Sequence, residues 1–264
     1  MTSSTTPVHF WNGNKSPTRR TFEQELLILC LQQGGRHNAH IIVNDIDYPN
    51  AQDEGNIFEN DCDVLVTVAG NQKFLGKRCI VIEQALCQGL LGHRLLVIPT
   101  AHAQRFAALT TLKQLQQMTI GIPATWADAD LFRHNGFSVA EKGSLDDIFT
   151  RLLLREFDYI ALGANEIEAI FKHNQHPPNT LMIETNILIY YPLPLVFYVH
   201  PDKQELANTI KKGLSKAIAN GKHKALFDQH HPNVSHRLGL SKRKTFTLSN
   251  PHLPESLKAY RPAL

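Results

Sequence analysis

Two pairs of carboxylates are the residues of this chain whose spacing could support general acid–base catalysis. They are Glu166 with Glu168 and Asp146 with Asp147, and one member of such a pair would donate a proton while the other accepts one. The same spacings are typical of solvated helix surfaces, and we favour that interpretation. The motifs of serine hydrolases, P-loop phosphate sites, dinucleotide sites and zinc proteases do not occur in the sequence. Binding without covalent chemistry is therefore favoured over an enzyme.

Histidines and cysteines, the usual ligands of transition metals, do not occur at ligand spacing. His230 and His231 are adjacent, so on a helix their side chains point in different directions. The four cysteines form no C-x-x-C motif, and neither a metal nor a cofactor is predicted. Cys79 and Cys87 could pair in an oxidising compartment, but buried free thiols are the favoured interpretation.

The bulk properties describe a globular chain. At 264 residues it is long for one core and sufficient for two lobes. The net charge of +3 gives no electrostatic argument for a nucleic-acid partner. No apolar run is long enough to span a bilayer, and residues 1–7 lack the basic and apolar regions of a signal peptide. Composition leaves open a cytosolic protein and a trimmed, exported one.

Hydrophobic periodicity predicts alternating strands and helices, which favours an open, largely parallel sheet. Helices are predicted from Thr21 to Gly34-Gly35, at 51–60, at 111–118, from Ser144 and at 203–220. Strands are predicted at 8–11, 40–43, 63–68, 119–122, 137–139 and 159–162. Trp11 ends the first strand at a loop, where open sheets bind ligands. It is a candidate wall of a binding site, with a core position as the alternative.

Two extended apolar segments, 89–99 and 186–199, bracket one alternating unit. The simplest topology inserts that unit as lobe 2 (97–193) into lobe 1 (1–96 plus 194–264). Two strands joining two lobes would form a hinge, and a ligand would bind in the cleft between the lobes. Segments 58–68 and 154–162 also resemble each other, because each places an acidic residue before a buried strand. This weak repeat suits two lobes built on one plan.

Several short motifs follow one another along nearly the whole chain. They are DVLVTV at 63–68, Arg78, GLLGHRL at 89–95, IGIPATWAD at 120–128, FDY at 157–159, YPLP at 191–194, ELA at 205–207 and NPHLP at 250–254. Each motif is short, but their order and spacing resemble those of the bacterial extracellular solute-binding proteins of the amino-acid-binding class (family 3). The resemblance is strongest to a branch of that family whose ligands are generally not established.

The resemblance implies an α/β, two-lobed type II periplasmic-binding fold in which two hinge strands link two mixed, mostly parallel sheets. It also implies export to the periplasm, a monomeric state and closure of the lobes on a small polar or anionic solute. An ABC permease is the implied partner. A sensing role read by a membrane signalling protein is the alternative, and an enzyme on the same fold is a further one.

The resemblance also implies roles for individual residues. In the family, an arginine after the Asp63-like strand grips the carboxylate of the ligand, and Arg78 stands at a comparable place; a surface arginine beside Lys77 is the alternative. A threonine-bearing loop at a helix start supplies amide N–H groups to the same carboxylate, and Thr125 with Trp126 matches that loop.

Further candidates come from the same motifs, and two departures concern the ligand. Thr67, Leu91 and Arg94 complete the predicted binding residues. Glu166 is the carboxylate nearest to the place where the family holds an ammonium group, although LGAN follows the strand directly at 162–165. Leu75 stands where the family has a threonine. A polar or anionic molecule without an ammonium group is therefore an alternative to an α-amino acid.

Overall fold

The computed structural model describes residues 6–174 and 177–260. These residues form two compact units, and each unit is assembled from two segments of the chain. The first unit contains the segments that end at Cys87 and Asn233, and the second contains Gln88–Pro194 and the segment that begins at Val234. The predicted lobe ends at residues 1 and 264 lie outside the described residues.

Strands and helices alternate along much of the chain. The strands are β1 (Val8–Trp11), β2 (Ile41–Asn44), β3 (Val64–Val68), β4 (Ile80–Ile82), β5 (His93–Pro99), β6 (Thr119–Ile122), β7 (Ser138–Glu141), β8 (Tyr159–Gly163), β9 (Leu181–Ile183), β10 (Ile187–Tyr190), β11 (Leu195–Val199) and β12 (Lys244–Thr247). The helices are α1 (Pro17–Gly34), α2 (Ala51–Gly55), α3 (Ala103–Ala107), α4 (Leu112–Gln116), α5 (Asp128–His134), α6 (Ile148–Leu153), α7 (Ile167–His173), α8 (Gln204–Ala219), α9 (Lys222–His230) and α10 (Val234–Arg237).

The first unit contains a five-stranded sheet in the order β2-β1-β3-β11-β4. β1 pairs in parallel with β2 and β3, whereas β11 is antiparallel to both β3 and β4. Every residue of β3 and β11 is buried, as expected for central strands covered on both faces. The carboxyl ends of β1, β2 and β3 therefore meet at one edge of this sheet.

Helix α1 begins and ends with residues suited to those positions. Pro17 occupies its first turn, where the missing N–H costs nothing and the fixed φ is already helical. Gly35 follows the last turn with a φ of 108° and donates its N–H to Gln32, as in a glycine-terminated helix. The helix thus starts before the predicted Thr21 and ends where predicted.

Helices α1 and α8 approach each other closely in the first unit, and glycines permit the approach. A Cβ atom added at Gly213 would overlap the carbonyl oxygen of Cys30, and one at Gly34 would overlap the backbone of Thr209. These contacts involve backbone atoms, which cannot move aside as a flexible side chain would. The two helices are therefore in contact through their main chains.

We expect Gly213→Ala to destabilise the protein by about 1–3 kcal/mol, because the added methyl group has to push α1 away from α8. Urea unfolding followed by circular dichroism measures the change. Lys212→Ala is the matched control, since Lys212 is exposed on the same helix and should change stability by less than about 0.5 kcal/mol. Equal stability of the two variants would contradict the close helix contact.

The second unit contains a mixed seven-stranded sheet. Its main path runs β12-β10-β5-β8-β6-β7, and β9 pairs with β5 off this path. β6 is parallel to β7 and β8, while β5 is antiparallel to β8, β9 and β10. β5 is buried from Arg94 to Ile98, as expected for a strand that is covered on both faces.

The units differ from the predicted lobes in two places. Residues 88–96 belong to the second unit because β5 pairs only with strands of that unit. Residues 234–260 belong there as well, since β12 pairs with β10 from Ile187 to Tyr190. The chain therefore passes between units after Cys87 rather than near Leu96, after Pro194, one residue from the predicted boundary at Leu193, and a third time after Asn233.

The predicted extended segment 186–199 consists of two strands in different sheets. β10 lies in the second sheet and β11 in the first, and the four residues between them include Pro192 and Pro194. Proline lacks the N–H that a sheet ladder needs, so this short segment separates the two strands.

The predicted internal repeat has a structural counterpart in the two units. In the first unit, Asp63 accepts the N–H of His9 on its carboxylate and donates its own N–H to the carbonyl of His9. In the second unit, Asp158 makes the same two bonds with Thr119. Each aspartate precedes a central strand and makes two hydrogen bonds with a residue at the start of the neighbouring parallel strand. The two units thus share a local strand-start arrangement.

The cysteines of the structure are free thiols. Cys30, Cys62 and Cys87 are buried and Cys79 is partly exposed. Burial raises the pKa of Cys30 and of Cys62 to about 12, so both thiols are protonated and unreactive at neutral pH. In the described part of the chain, no helix has both the length and the apolar character needed to cross a membrane.

His223 gives the first unit a dependence of stability on pH. Its Nε2 lies 2.9 Å from the carbonyl oxygen of Leu86, and burial lowers its pKa below 6.5. As the pH falls below about 6.5, the unfolded chain binds the proton first, so stability decreases until the pH reaches the lowered pKa of the folded protein.

We expect His223→Gln to lose less unfolding free energy than the wild type between about pH 7.5 and about pH 5.5. The neutral amide can donate to Leu86 at both pH values. The measurement is urea unfolding of both proteins at each pH, and the difference removes the contribution of other titrating groups. Identical pH profiles would show that His223 does not titrate differently on folding.

Candidate functional site

Strand direction identifies the edge of the second sheet at which polar side chains gather. β6, β7 and β8 are parallel, so the loops after Ile122, Glu141 and Gly163 lie at the same edge. β5 runs the opposite way and pairs Arg94 with Gly163. The carboxyl ends of parallel strands are where open α/β sheets bind ligands. This edge is the candidate site.

Arg94 is the central side chain of the site. It is only 1% exposed, and its Nε donates a hydrogen bond of 2.8 Å to the hydroxyl of Tyr191. Its Nη2 donates to the carboxylate of Asp128, to which the Tyr191 hydroxyl also donates. These three side chains come from β5, α5 and the segment after β10, and together they form what we call the arginine triad.

Electrostatics keeps the arginine triad in one protonation state. Burial by itself would lower the pKa of Arg94, but its interactions with Asp128, Tyr191 and Glu166 outweigh burial and raise that pKa. Burial also raises the pKa of Tyr191 well above its ordinary value. At neutral pH the arginine is therefore charged and the phenol is a hydrogen-bond donor.

Two buried polar atoms of the site have no partner among the described residues. The Nη1 of Arg94 donates to none of them, and the Oδ1 of Asn165 accepts from none of them. Asn165 is 5% exposed. Since buried polar groups are normally hydrogen-bonded, this unsatisfied donor and this unsatisfied acceptor set the edge apart from an ordinary core.

The loop after β6 has its amide groups occupied by the protein. Thr125 has a φ of 68° and donates its N–H to the carboxylate of Glu141 at 3.1 Å. The Trp126 N–H donates to the carbonyl of Pro123 at 3.4 Å. The structure thus places the two predicted residues at the edge of the site, but it directs their amides to acceptors within the second unit.

An apolar pocket lies beside the arginine triad. Its cavity volume is about 10 Å³, which is room for roughly one water molecule. Asp128 contributes the only carboxylate of its lining; the other lining residues include Pro123, Trp126, Phe132, Leu145 and Ile148. Trp126 is half-buried. Small-molecule sites commonly combine such an apolar wall with a few polar groups.

The remaining predicted residues of the second unit also lie at this edge. Leu91 is buried, and its Cδ1 would lie 3.0 Å from a Cβ atom added at Gly163. Glu166 is buried at the start of α7 and acts electrostatically on Arg94. The structure therefore brings Leu91, Arg94, Trp126 and Glu166 to one edge of one sheet.

The predicted residues of the first unit are engaged within that unit. Trp11 is 2% exposed, and its indole N–H donates to the carbonyl of Ile46 at 2.9 Å. The hydroxyl of Thr67 accepts a hydrogen bond of 2.8 Å from Asn71. Both residues lie near the carboxyl ends of their strands. Because Trp11 is almost fully buried, it has the core position that the sequence left open as an alternative.

The register of the first sheet does not support the predicted role of Arg78. β4 runs in the same direction as β3, because each is antiparallel to β11, and Ile80 and Val64 face the same residue, Val199. Arg78 precedes β4 and therefore lies at the edge opposite the carboxyl end of β3. Its side chain is 85% exposed and 3.8 Å from Asp202. The surface position is the one that the structure shows.

Three residues of the site were not among the predicted binding residues. Asp128 and Tyr191 occur only within the motifs IGIPATWAD and YPLP, and Asn165 occurs in the LGAN segment at 162–165. Arg94 contacts Asp128 and Tyr191 across 34 and 97 residues of sequence, so spacing gave no signal of the triad. Across 6–174 and 177–260, no group of three or more His, Cys, Asp or Glu side chains could hold a metal ion.

Comparisons with known proteins identify the fold. No protein-family model matches the chain, and no curated protein matches it. Solved structures do match. An ancestral arginine-binding protein bound to arginine is 13% identical with a TM-score of 0.60, over 84% of this chain and 97% of that one. A periplasmic His/Glu/Gln/Arg/opine family-binding protein from Silicibacter pomeroyi, in complex with lysine, is 11% identical with a TM-score of 0.60, over 84% and 95%.

A sensor protein is among the similar structures. A histidine kinase sensor domain with similarity to periplasmic binding proteins is 10% identical with a TM-score of 0.61, over 86% of this chain and 96% of that one. At such identities the likeness concerns the fold alone. Together with the two mixed sheets, it confirms that the chain has the two-lobed type II periplasmic-binding fold that the sequence motifs predicted.

Proposed function

We propose that this protein is a solute-binding protein that captures a small polar molecule at the arginine triad. The proposal rests on the Arg94 guanidinium. This group is buried at the candidate edge of its sheet, and its Nη1 donates a hydrogen bond to no described residue. An oxygen atom of a ligand would satisfy this donor, and a charge-assisted bond of this kind is among the stronger ones available.

The fold supports a binding role. Amino-acid-binding proteins with arginine or lysine bound match this chain over nearly their whole length. The sequence carries none of the common catalytic motifs, and the proposed site offers hydrogen bonds and an apolar wall. Capture without turnover accounts for these features, and purified protein should leave its bound ligand chemically unchanged.

Delivery to an ABC transporter from the periplasm is the physiological role we propose, with the protein acting as a monomer. Similar proteins named for amino-acid ABC transporters support this role. Sensing for a signalling partner is the second candidate, and the match to a histidine kinase sensor domain favours it. Co-purification with a permease or with a kinase from the native membrane would distinguish the two roles.

A thermal-shift screen is the direct test of binding. We expect at least one compound from a panel of amino acids, organic acids, amides and small peptides to raise the melting temperature, since a ligand stabilises the state that binds it. The panel includes arginine, lysine and glutamine. If no compound shifts the melting temperature even at millimolar concentration, the proposed function is wrong.

We expect Arg94→Lys to weaken binding of the best compound by about 10–100-fold, since one charge-assisted hydrogen bond is removed while the positive charge beside Asp128 stays. Titration calorimetry measures the affinity. Arg78→Lys is the matched control and should bind as the wild type does, because Arg78 lies at the surface of the first unit. Equal affinities of both variants would remove Arg94 from the site.

A further inference from the structure

We infer that the ligand presents to this site an uncharged group with an acceptor and a donor side by side, such as a carboxamide, and that Asn165 is the residue that selects it. This inference rests on the proposed function and narrows it to a ligand class. Arg94 supplies the donor and Asn165 supplies the acceptor. A primary amide offers a carbonyl oxygen to the first and an N–H to the second.

Sheet geometry places the two groups on the same face. Arg94 and Gly163 are directly paired across antiparallel strands, so their Cβ directions share one face at a separation of about 5 Å. A Cβ atom at Gly163 would lie 2.5 Å from Oδ1 of Asn165. The asparagine oxygen therefore lies beside Gly163, on the face of the sheet from which the paired Arg94 side chain starts.

The charge balance of the site disfavours a free carboxylate. Arg94 is already paired with Asp128, and Glu166 adds a further acidic group that acts on the same guanidinium. A carboxylate bound at Nη1 would bring one more negative charge into a buried site, where like charges repel strongly. Facing Asn165 Oδ1, it would also set an oxygen against an oxygen, with no proton between them.

The loop before α5, at which the sequence resemblance implied a ligand carboxylate, is already occupied by a carboxylate of this chain. The Thr125 N–H is bound to the carboxylate of Glu141, which is held in turn by Arg133 at 2.7 Å. The protein thus provides its own carboxylate at the loop before α5. Among the described residues, the buried side-chain atoms of this edge that lack a hydrogen-bond partner are the Nη1 of Arg94 and the Oδ1 of Asn165, and that pair complements an amide.

The rest of such a molecule would face the apolar residues next to Asp128. The small pocket there is lined by apolar atoms of Trp126, Phe132 and Leu145, and an apolar ligand group that widened it would leave water without losing hydrogen bonds. A small planar amide with an apolar ring combines both features. Benzamide and nicotinamide are therefore suitable probes, and benzoate and nicotinate are their acidic counterparts of nearly equal shape.

The test is calorimetric titration of the full chain with both amide–acid pairs. We expect each amide to bind at least about tenfold more tightly than its acid. Asn165→Ala should weaken amide binding about tenfold and leave the acids unchanged, since one neutral hydrogen bond is lost. Gly163→Ala should act in the same direction, because the new methyl group displaces the asparagine oxygen. Asn208→Ala, on the exposed face of α8, is the control.

The outcomes separate this inference from the function on which it rests. Equal or tighter binding of the acids, or binding of amino acids from the panel with neither amide bound, overturns the amide assignment and leaves the solute-binding role intact. An Asn165→Ala variant that is folded and binds both amides normally overturns the role of Asn165. Failure of every compound in the panel overturns both.

Discussion

Replacing Asp128 with alanine is expected to destabilise the second unit by about 3–5 kcal/mol, because the change leaves Arg94 buried without its carboxylate partner. Arg94 and Asp128 are both buried, and Tyr191 loses the acceptor of its hydroxyl proton as well. Chemical unfolding followed through Trp126 fluorescence reports on this unit, with Trp11→Phe as the background that removes the other tryptophan.

The control for Asp128→Ala is an ion pair at the surface of the same unit. Glu168 pairs with Arg237, and both side chains are about 40% exposed. Glu168→Ala should cost less than about 1 kcal/mol, as is typical of solvated pairs. A similar small cost for Asp128→Ala would mean that water or a rearranged side chain compensates the charge of Arg94, and the inference that this buried charge depends on Asp128 would then fail.

Replacing Glu23 with alanine is expected to destabilise the first unit by about 3–5 kcal/mol. The Glu23 side chain is fully buried on α1 and accepts from Lys15 at 2.6 Å and from Arg19 at 2.8 Å. Burial lowers the pKa of Lys15, so its charge depends on this carboxylate. Without Glu23, Lys15 has to lose its proton or remain charged in the interior.

Glu25→Ala on the same helix is the comparison for Glu23→Ala. Glu25 is partly exposed and lies 2.8 Å from His230, so its loss should cost about 1 kcal/mol or less. Urea unfolding at neutral pH measures both variants. If Glu23→Ala regains stability as the pH is raised toward 10, deprotonation of Lys15 is the cause; a flat profile would argue against a buried lysine charge.

The sequence predicted most of the fold, because local signals coincide with the elements. Alternating apolar segments mark β1, β3 and β8, and the motifs together predicted the two-lobed architecture that the similar structures confirm. The third passage between the units was not predicted. It depends on β12, a short strand with one buried residue, and no local pattern shows that this strand pairs with β10.

The candidate site was less predictable than the fold, for a physical reason. Arg94 was a predicted binding residue, but its partners follow from pairings between distant segments. Arg78 illustrates the converse. It stands at a suitable distance after the Asp63 strand in the sequence, yet the direction of β4 carries it to the opposite edge of the sheet. Spacing along the chain does not determine at which edge a side chain lies.

The interleaved segments have a consequence for synthesis. A nascent chain that has reached Cys87 lacks β11 and α8, so the first unit cannot close until residues up to Asn233 have left the ribosome. The strands from β5 to β10 emerge in between, and they obtain β12 only from the last segment. The first unit can therefore close only after most of the second has been synthesised, so it does not mature before the next unit begins to emerge, as amino-terminal domains usually do.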